Sequence, residues 1–372
     1  MLPKPYLGGN QFLTQLATVP GRMKALVKAA PALGAELREV EVPRPGPGEI
    51  LVKVRVASIC GTDVHIYEWN KWADARMKTP IIFGHEFAGD VVSLGAGVAD
   101  SGLAKVGDYV SAESHVICGA CYQCRTGQSH ICRKCSILGV DRSGCFADYV
   151  AIPAVNAWPN PPALSPEVAS VQEPFGNAVD TVFAGDVPGK SFLVLGCGPI
   201  GLMAVALLRA SGAATVLATD LSEYRLDLAR KLGATEAWNA GATDAVGRDT
   251  VGRVLELTGG EGVDAVLEMS GAKSAIAQAL KVVRNGGRVT LLGLPSGPVE
   301  LDLAENLIFK GVTMQGITGR HIFETWYKTK AFLGSGLVDL RPLITHTFPL
   351  AEFKTAFELA ISGKCGKIVL RV

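Results

Sequence analysis

The sequence predicts an α/β chain in which a β-rich domain accompanies a doubly wound parallel sheet. Three observations carry that expectation. With 372 residues and 48% apolar side chains, the chain is long enough for about two domains, each with its own core. Residues 23–160 read as short β-rich runs separated by Gly and Pro turn signals. Beyond about residue 180, short apolar runs alternate with helical stretches, which is the rhythm of βαβ units.

In chain order, residues 1–22 are mixed in character and form an extension, and regular patterning starts at residues 23–27. The extension lacks the charged-then-apolar order of a secretory leader. Strand-like runs follow at 50–58, 87–94, 109–112 and 149–152, divided by signals such as Pro45-Gly46-Pro47-Gly48 and Gly107-Asp108. In the second part, apolar runs at 192–195, 215–219, 265–269 and 288–292 alternate with helical stretches such as 200–209 and 223–232. A helix near 321–332 and a strand at 367–371 close the chain. The doubly wound sheet is complete by about residue 317, so the expected division is 23–178 with 318–372, and 179–317 between them. Residues 191–208 carry no charge, which is the lower limit for a membrane span. Gly196, Gly198, Pro199 and Gly201 break that reading in favour of a buried strand, a tight turn and a buried helix.

Lys and Arg number 36 and Asp and Glu 35, a net charge of +1. That balance supports neither a nucleic-acid partner nor an anionic membrane surface. Nine cysteines, four of them clustered, fit a reducing, cytoplasmic setting better than a disulfide-stapled secreted one.

Gly196-Cys197-Gly198-Pro199-Ile200-Gly201 fits G-x-G-x-x-G, follows an apolar strand and opens a helix. Such glycines allow a tight turn, the approach of a pyrophosphate and close helix packing, and the helix N-terminus offers free N–H groups. Asp220 ends the next strand and suits the ribose hydroxyls of NAD, while repelling the extra phosphate of NADP. Its plain alternative is a turn or cap aspartate. Arg225 is placed to face the ribose or adenine, or is an ordinary exposed helical arginine.

Cys118, Cys121, Cys124 and Cys132 follow C-x2-C-x2-C-x7-C. Four thiolates at that spacing surround a tetrahedral zinc and leave no ligand position open, so the site is structural. Cys60, followed by Gly84-His85-Glu86, supplies the thiolate, imidazole and carboxylate of an open, catalytic zinc. A buried thiol with an unrelated turn histidine is the competing reading.

Taken together, G-H-E-F-A-G-D-V-V at 84–92, the four-cysteine lobe and G-C-G-P-I-G resemble the zinc-dependent medium-chain alcohol dehydrogenase superfamily, in the family's order and from residue 23 to 372. The resemblance implies a GroES-like catalytic domain, with a structural zinc lobe at 115–135, and a Rossmann domain that binds NAD. It implies two zinc ions per subunit, the catalytic one on Cys60, His85 and Glu86. Glu173 is then a fourth carboxylate ligand or the partner of the zinc-bound water. Thr62 and His65 match positions of a proton relay, against the alternative of a turn threonine and a surface histidine. His115 matches a position beside the substrate, or is structural. Leu292, Gly293, Leu294, Ile317 and Thr318 join the cofactor contacts, and the assembly implied is a homotetramer.

Within the superfamily, I-C-G-T-D-V-H-I-Y at 59–67, E-P-F-G-N-A-V at 173–179 and G-R-H-I-F-E-T-W-Y-K at 319–328 resemble the threonine-oxidising branch. The expected reaction is oxidation of the 3-hydroxyl of L-threonine to 2-amino-3-oxobutyrate. Rival readings are a polyol or 2,3-butanediol dehydrogenase, and a non-catalytic NAD- or zinc-binding protein.

Overall fold

The computed structural model describes residues 19–372, so residues 1–18 of the expected extension lie outside the described residues. Strand Glu49–Ser58 is the organiser of the β-rich part. It pairs antiparallel with Glu86–Leu94, Tyr149–Pro153 and Lys367–Arg371, joining segments from opposite ends of the sequence. Its length lets different stretches meet different partners, and its buried side chains reach a core of Phe83, Phe87, Phe146 and Phe357. Tyr67 stacks on Phe357 at 4.4 Å, and Phe83 meets Phe146 edge-on. Gly84, at φ +88, lies against the Phe146 ring, where an added Cβ would sit 2.6 Å from it.

The second sheet is parallel throughout. Its spatial order is Glu236–Asn239, Thr215–Asp220, Ser191–Leu195, Val263–Glu268, Val283–Leu291 and Thr313–Gly316. The order reverses between Ser191–Leu195 and Val263–Glu268, which marks the topological switch point of a doubly wound fold. Helices cover both faces, so Phe192, Leu193, Val194 and Leu195 are buried on both sides and read as an unbroken apolar run. The uncharged stretch 191–208 is this strand, a turn and helix Pro199–Ala210. Among the described residues, no helix is long and apolar enough to cross a membrane.

The helix expected near residue 321 starts at Glu324. Asp180 is the reason. Its Oδ2 accepts the backbone N–H of His321 at 2.8 Å and His321 Nδ1 at 2.6 Å, while Oδ1 accepts from Thr325 Oγ1. These bonds hold 319–323 as a docked segment rather than a first helical turn. Glu173, Asn177 and Asp180 lie on one face of helix Gln172–Val182, four and three residues apart, and all three grip this segment.

Candidate active site

The four lobe cysteines present their sulfurs to one point, all within 4.8 Å of one another. Neighbouring sulfurs lie 3.5 to 3.8 Å apart. A disulfide would bring two of them to about 2.0 Å, whereas zinc–sulfur bonds of about 2.3 Å in a tetrahedron place sulfurs roughly 3.8 Å apart. Backbone N–H groups of Cys124 and Arg133 hold the Cys121 thiol down at about 6, and those of Ala120 and Cys121 lower Cys118. The lobe is therefore shaped for a fully ligated metal.

Cys60, His85 and Glu86 form the second group, their ligand atoms again within 4.8 Å. Cys60 caps helix Gly61–Glu68, and its N–H donates to Asp63 Oδ2 at 2.9 Å. The other oxygen of the fully buried Asp63 lies 3.5 Å from His85 Nδ1, which leaves Nε2 as the ligand atom. Glu86 is also fully buried. Its Oε2 accepts from Lys367 Nζ at 2.5 Å and from Ser58 Oγ, while Oε1 has no hydrogen-bond partner. An orphaned, buried carboxylate oxygen beside a cysteine and an oriented imidazole fits a divalent metal of zinc type.

Glu173 does not join this group. Its Oε1 accepts from Ser114 Oγ at 2.5 Å and lies 2.7 Å from Arg320 Nη2. Burial pushes Glu173 up, but Arg320, His85 and the Ser114 hydrogen bond together outweigh it and keep the carboxyl below its ordinary range. It stays near enough that its charge adds to the rise burial imposes on Glu86, against the pull of Lys367 and His85. Arg320 itself is 1% exposed and is held by Glu113, Ser114 and Asn177. Glu113 also accepts from Trp326 Nε1 and from the backbone N–H of His115, and its Oε1 lies 3.0 Å from His115 Nδ1. Burial would raise Glu113, yet Arg320 and His115 bring it to about 2. His115 thus keeps Nε2 free, with Gly319 packed against its ring. Thr62 and His65 lie on helix Gly61–Glu68, part-exposed and exposed, without side-chain hydrogen bonds among the described residues.

Around the nucleotide loop, Gly196 adopts φ +96 and an added Cβ would sit 2.8 Å from Ser270. A Cβ on Gly201 would come within 2.0 Å of Gly196 O, whereas Gly198 faces open space. Asp220 accepts from the N–H of Cys197 at 2.7 Å and of Ser222 at 2.9 Å, tying the glycine loop to the next strand end. A cavity of about 940 Å³ opens there, lined by Gly196, Asp220, Arg225 and Ser270. Ser362, Gly363 and Lys364 form its far wall, held by Ser222 Oγ on Gly363 O and Arg225 Nε on Cys365 O. Arg225 is thereby turned toward the C-terminal segment. Pro199 and Ile200 open the helix behind the loop. Leu292, Gly293, Leu294, Ile317 and Thr318 sit at the carboxyl ends of the neighbouring strands, outside this cavity, with Leu294 and Thr318 exposed.

Residues 46–162 match the alcohol dehydrogenase GroES-like domain and residues 199–335 the zinc-binding dehydrogenase domain. The L-threonine 3-dehydrogenase of Bacillus licheniformis is 52% identical over 350 residues, covering 94% of this chain and 99% of its own. That of Pyrococcus horikoshii is 51% identical over 349 residues, covering 94% and 98%. The chain belongs to the L-threonine 3-dehydrogenase family. Family membership makes it a zinc-dependent dehydrogenase of the medium-chain type. Among solved structures, an Escherichia coli alcohol dehydrogenase complexed with NADH superposes with TM-score 0.86 at 29% identity, covering 95% of this chain and 100% of that one. The 2R,3R-butanediol dehydrogenase of Bacillus subtilis gives 0.83 at 26%, covering 94% and 99%.

Asp63, Glu113, Ser114, Arg320, Lys367 and residues 362–364 were not assigned from sequence. Asp63 had a local signal, a carboxylate three residues after a helix-capping cysteine. Arg320 lies in the 319–328 run that marks the branch, but no local signal points to its partner Glu113, 207 residues away.

Proposed function

We propose that the chain oxidises the 3-hydroxyl of L-threonine to 2-amino-3-oxobutyrate with NAD as acceptor. The observation that carries this reading is the Cys60–His85–Glu86 group with its orphaned Glu86 Oε1, in a chain half identical to named threonine dehydrogenases. When bound, zinc supplies Lewis acidity to the substrate hydroxyl and the nicotinamide accepts a hydride. Cys60, His85 and Glu86 would hold that zinc, and the lobe cysteines a second, structural one.

The residues present divide the remaining work. The Asp63 carboxylate, 3.5 Å from His85 Nδ1, favours the tautomer that leaves Nε2 to a metal, and Lys367 and Ser58 fix the Glu86 carboxylate. Glu173 acts as an ionised acceptor beside the centre, for a hydrogen bond from water or substrate, rather than as a ligand, because Arg320 and Ser114 hold it. His115, steered by Glu113, presents Nε2 to the amino acid. Thr62 and the exposed His65 carry the hydroxyl proton outward, because the imidazole can both accept and donate a proton and reaches solvent. Asp220 takes the ribose hydroxyls, the glycine loop the pyrophosphate, and residues 292–294 and 317–318 the nicotinamide half.

A homotetramer is the proposed assembly. The outermost strand Thr313–Gly316 is exposed along its length, beside the exposed Ile308 and Phe309, and such an edge calls for a cover. Nine free cysteines suit a cytoplasmic home. Light scattering tests the first.

The deciding experiment compares L-threonine, 2,3-butanediol and sorbitol with NAD and with NADP, with and without a chelator. The rival diol reading has the butanediol dehydrogenase superposition in its favour. A diol or polyol preferred by more than about tenfold in kcat/KM, roughly 1.4 kcal/mol of transition-state binding, would refute the threonine assignment.

A further inference from the structure

Glu268 ends the strand on the far side of the switch point from the glycine loop, and it is fully buried. Its carboxylate accepts from three donors of the turn that follows, one of them shared between both oxygens. Oε1 takes the N–H of Ser270 at 2.9 Å, the hydroxyl of Ser270 at 2.5 Å and the N–H of Gly271 at 3.0 Å, and Oε2 takes Gly271 N–H at 3.1 Å. The Glu268 carbonyl receives the N–H groups of Leu292 and Gly293, at 2.9 and 3.1 Å. Ser270 in turn packs on Gly196, and Gly293 on Gly271 and Glu268 Oε2, with no room for a Cβ at either glycine. The carboxylate thus fixes the turn at Ser270 and Gly271, which packs on Gly196 and Gly293, while the backbone carbonyl of the same residue ties in the strand end at Leu292 and Gly293.

Two features separate this carboxylate from an ordinary buried staple. Its partners donate to it and so favour the ionised form, against burial, which pushes the carboxyl above its ordinary value, and among the described residues no Lys, Arg or His forms an ion pair with it. Its place in the crevice is also specific. The 940 Å³ cavity takes in Asp220 on one side of the glycine loop and, on the other, Ser270 and Ala272 from the turn that Glu268 holds, and Asp220 suits the adenosine ribose. A dinucleotide laid across the switch point then puts nicotinamide over the strand ends that Glu268 organises.

Resting on the NAD reading, we propose that Glu268 is a positioning residue for the nicotinamide half and that its uncompensated charge favours the oxidised cofactor over the reduced one. Oxidised nicotinamide carries a positive charge that the reduced ring lacks, so a fixed anion in a low-dielectric floor acts on one form only.

The test measures dissociation constants for NAD and NADH separately, without substrate, on the metal-loaded full chain. Glu268→Gln should raise the NAD constant roughly fivefold more than the NADH constant, the scale of a single charge acting across a partly screened interior. Glu268→Met, a second neutral variant, should shift the ratio in the same direction. Ser270→Ala keeps the charge and removes one bond, so it should weaken both forms equally. Equal changes for NAD and NADH in the two neutral variants would overturn the proposal. So would failure of both to fold, which would assign the carboxylate to stability alone. A parent chain that bound NADP and NADPH instead would refute the NAD reading, and the same ratio would then be read on that pair. A parent that bound no nicotinamide would overturn both.

Discussion

Replacing Arg320 by Met should unsettle the molecule more than any other single change near the site. The guanidinium is 1% exposed and neutralises two carboxylates, Glu113 at 1% and Glu173 at 5%. Glu113 is held at about 2 against an ordinary 4.5. A shift of that size contributes about 3 kcal/mol of stability at neutral pH. Because the folded value is the lower one, the contribution is fully present above about pH 4.5 and fades as pH falls toward about 2. Removing one partner of a buried pair costs about 3–5 kcal/mol by a separate route, since the other charge is left uncompensated. The two scales agree. Arg320→Met should therefore lower the unfolding midpoint of the metal-loaded protein at pH 7 by roughly 5–10 °C. Adding Glu113→Gln to that variant should recover part of the loss, because it removes the stranded charge. A midpoint within about 1 °C of the parent, or strictly additive effects in the double variant, would refute the ledger.

Other perturbations probe separate parts. Cys121→Ser should cost thermal resistance and bound zinc before it costs the chemical step; an equally heat-resistant protein with no turnover would reverse that division. Asp63→Asn should weaken metal binding by about 10–100-fold, read by competition with a chelator, since it loosens the His85 orientation. Gly201→Ala would drive a methyl into Gly196 O, so cofactor affinity should fall more than tenfold while the metal content matches that of the parent, as direct titration and metal analysis would report. At acid pH, Glu113→Gln should flatten the decline in stability between about pH 4.5 and 2, measured by thermal scans across that range.

What sequence could reveal divides along a physical line. The glycine loop, the lobe and the G-H-E run are local, and their spacing alone limits the geometry they can adopt. The uncharged stretch 191–208 resolved into strand, turn and helix because glycine and proline dictate backbone shape nearby. Arg320, by contrast, meets Glu113 across 207 residues and Asn177 across 143, and no periodicity encodes such a meeting. The late start of the helix at Glu324 has the same origin, a carboxylate at Asp180 competing for the first turn. Glu173 shows how far resemblance reaches: it identifies a carboxylate near the centre, while the neighbours Arg320 and Ser114 decide where that carboxylate points.

The grip of helix Gln172–Val182 on residues 319–325 also bears on motion. The chain enters the parallel-sheet part just after Asp180 and leaves it just before Gly319, and Asp180 binds His321 directly. Both covalent crossings thus share a single pivot. If one part swings against the other, this helix is the pivot, and the cleft that would open is the one bridged by Ser222 to Gly363 and Arg225 to Cys365. Those two bonds to carbonyls behave as a clasp opposite the pivot. Ser222→Ala should lengthen the time the cleft stays open, seen as faster release of the reduced cofactor.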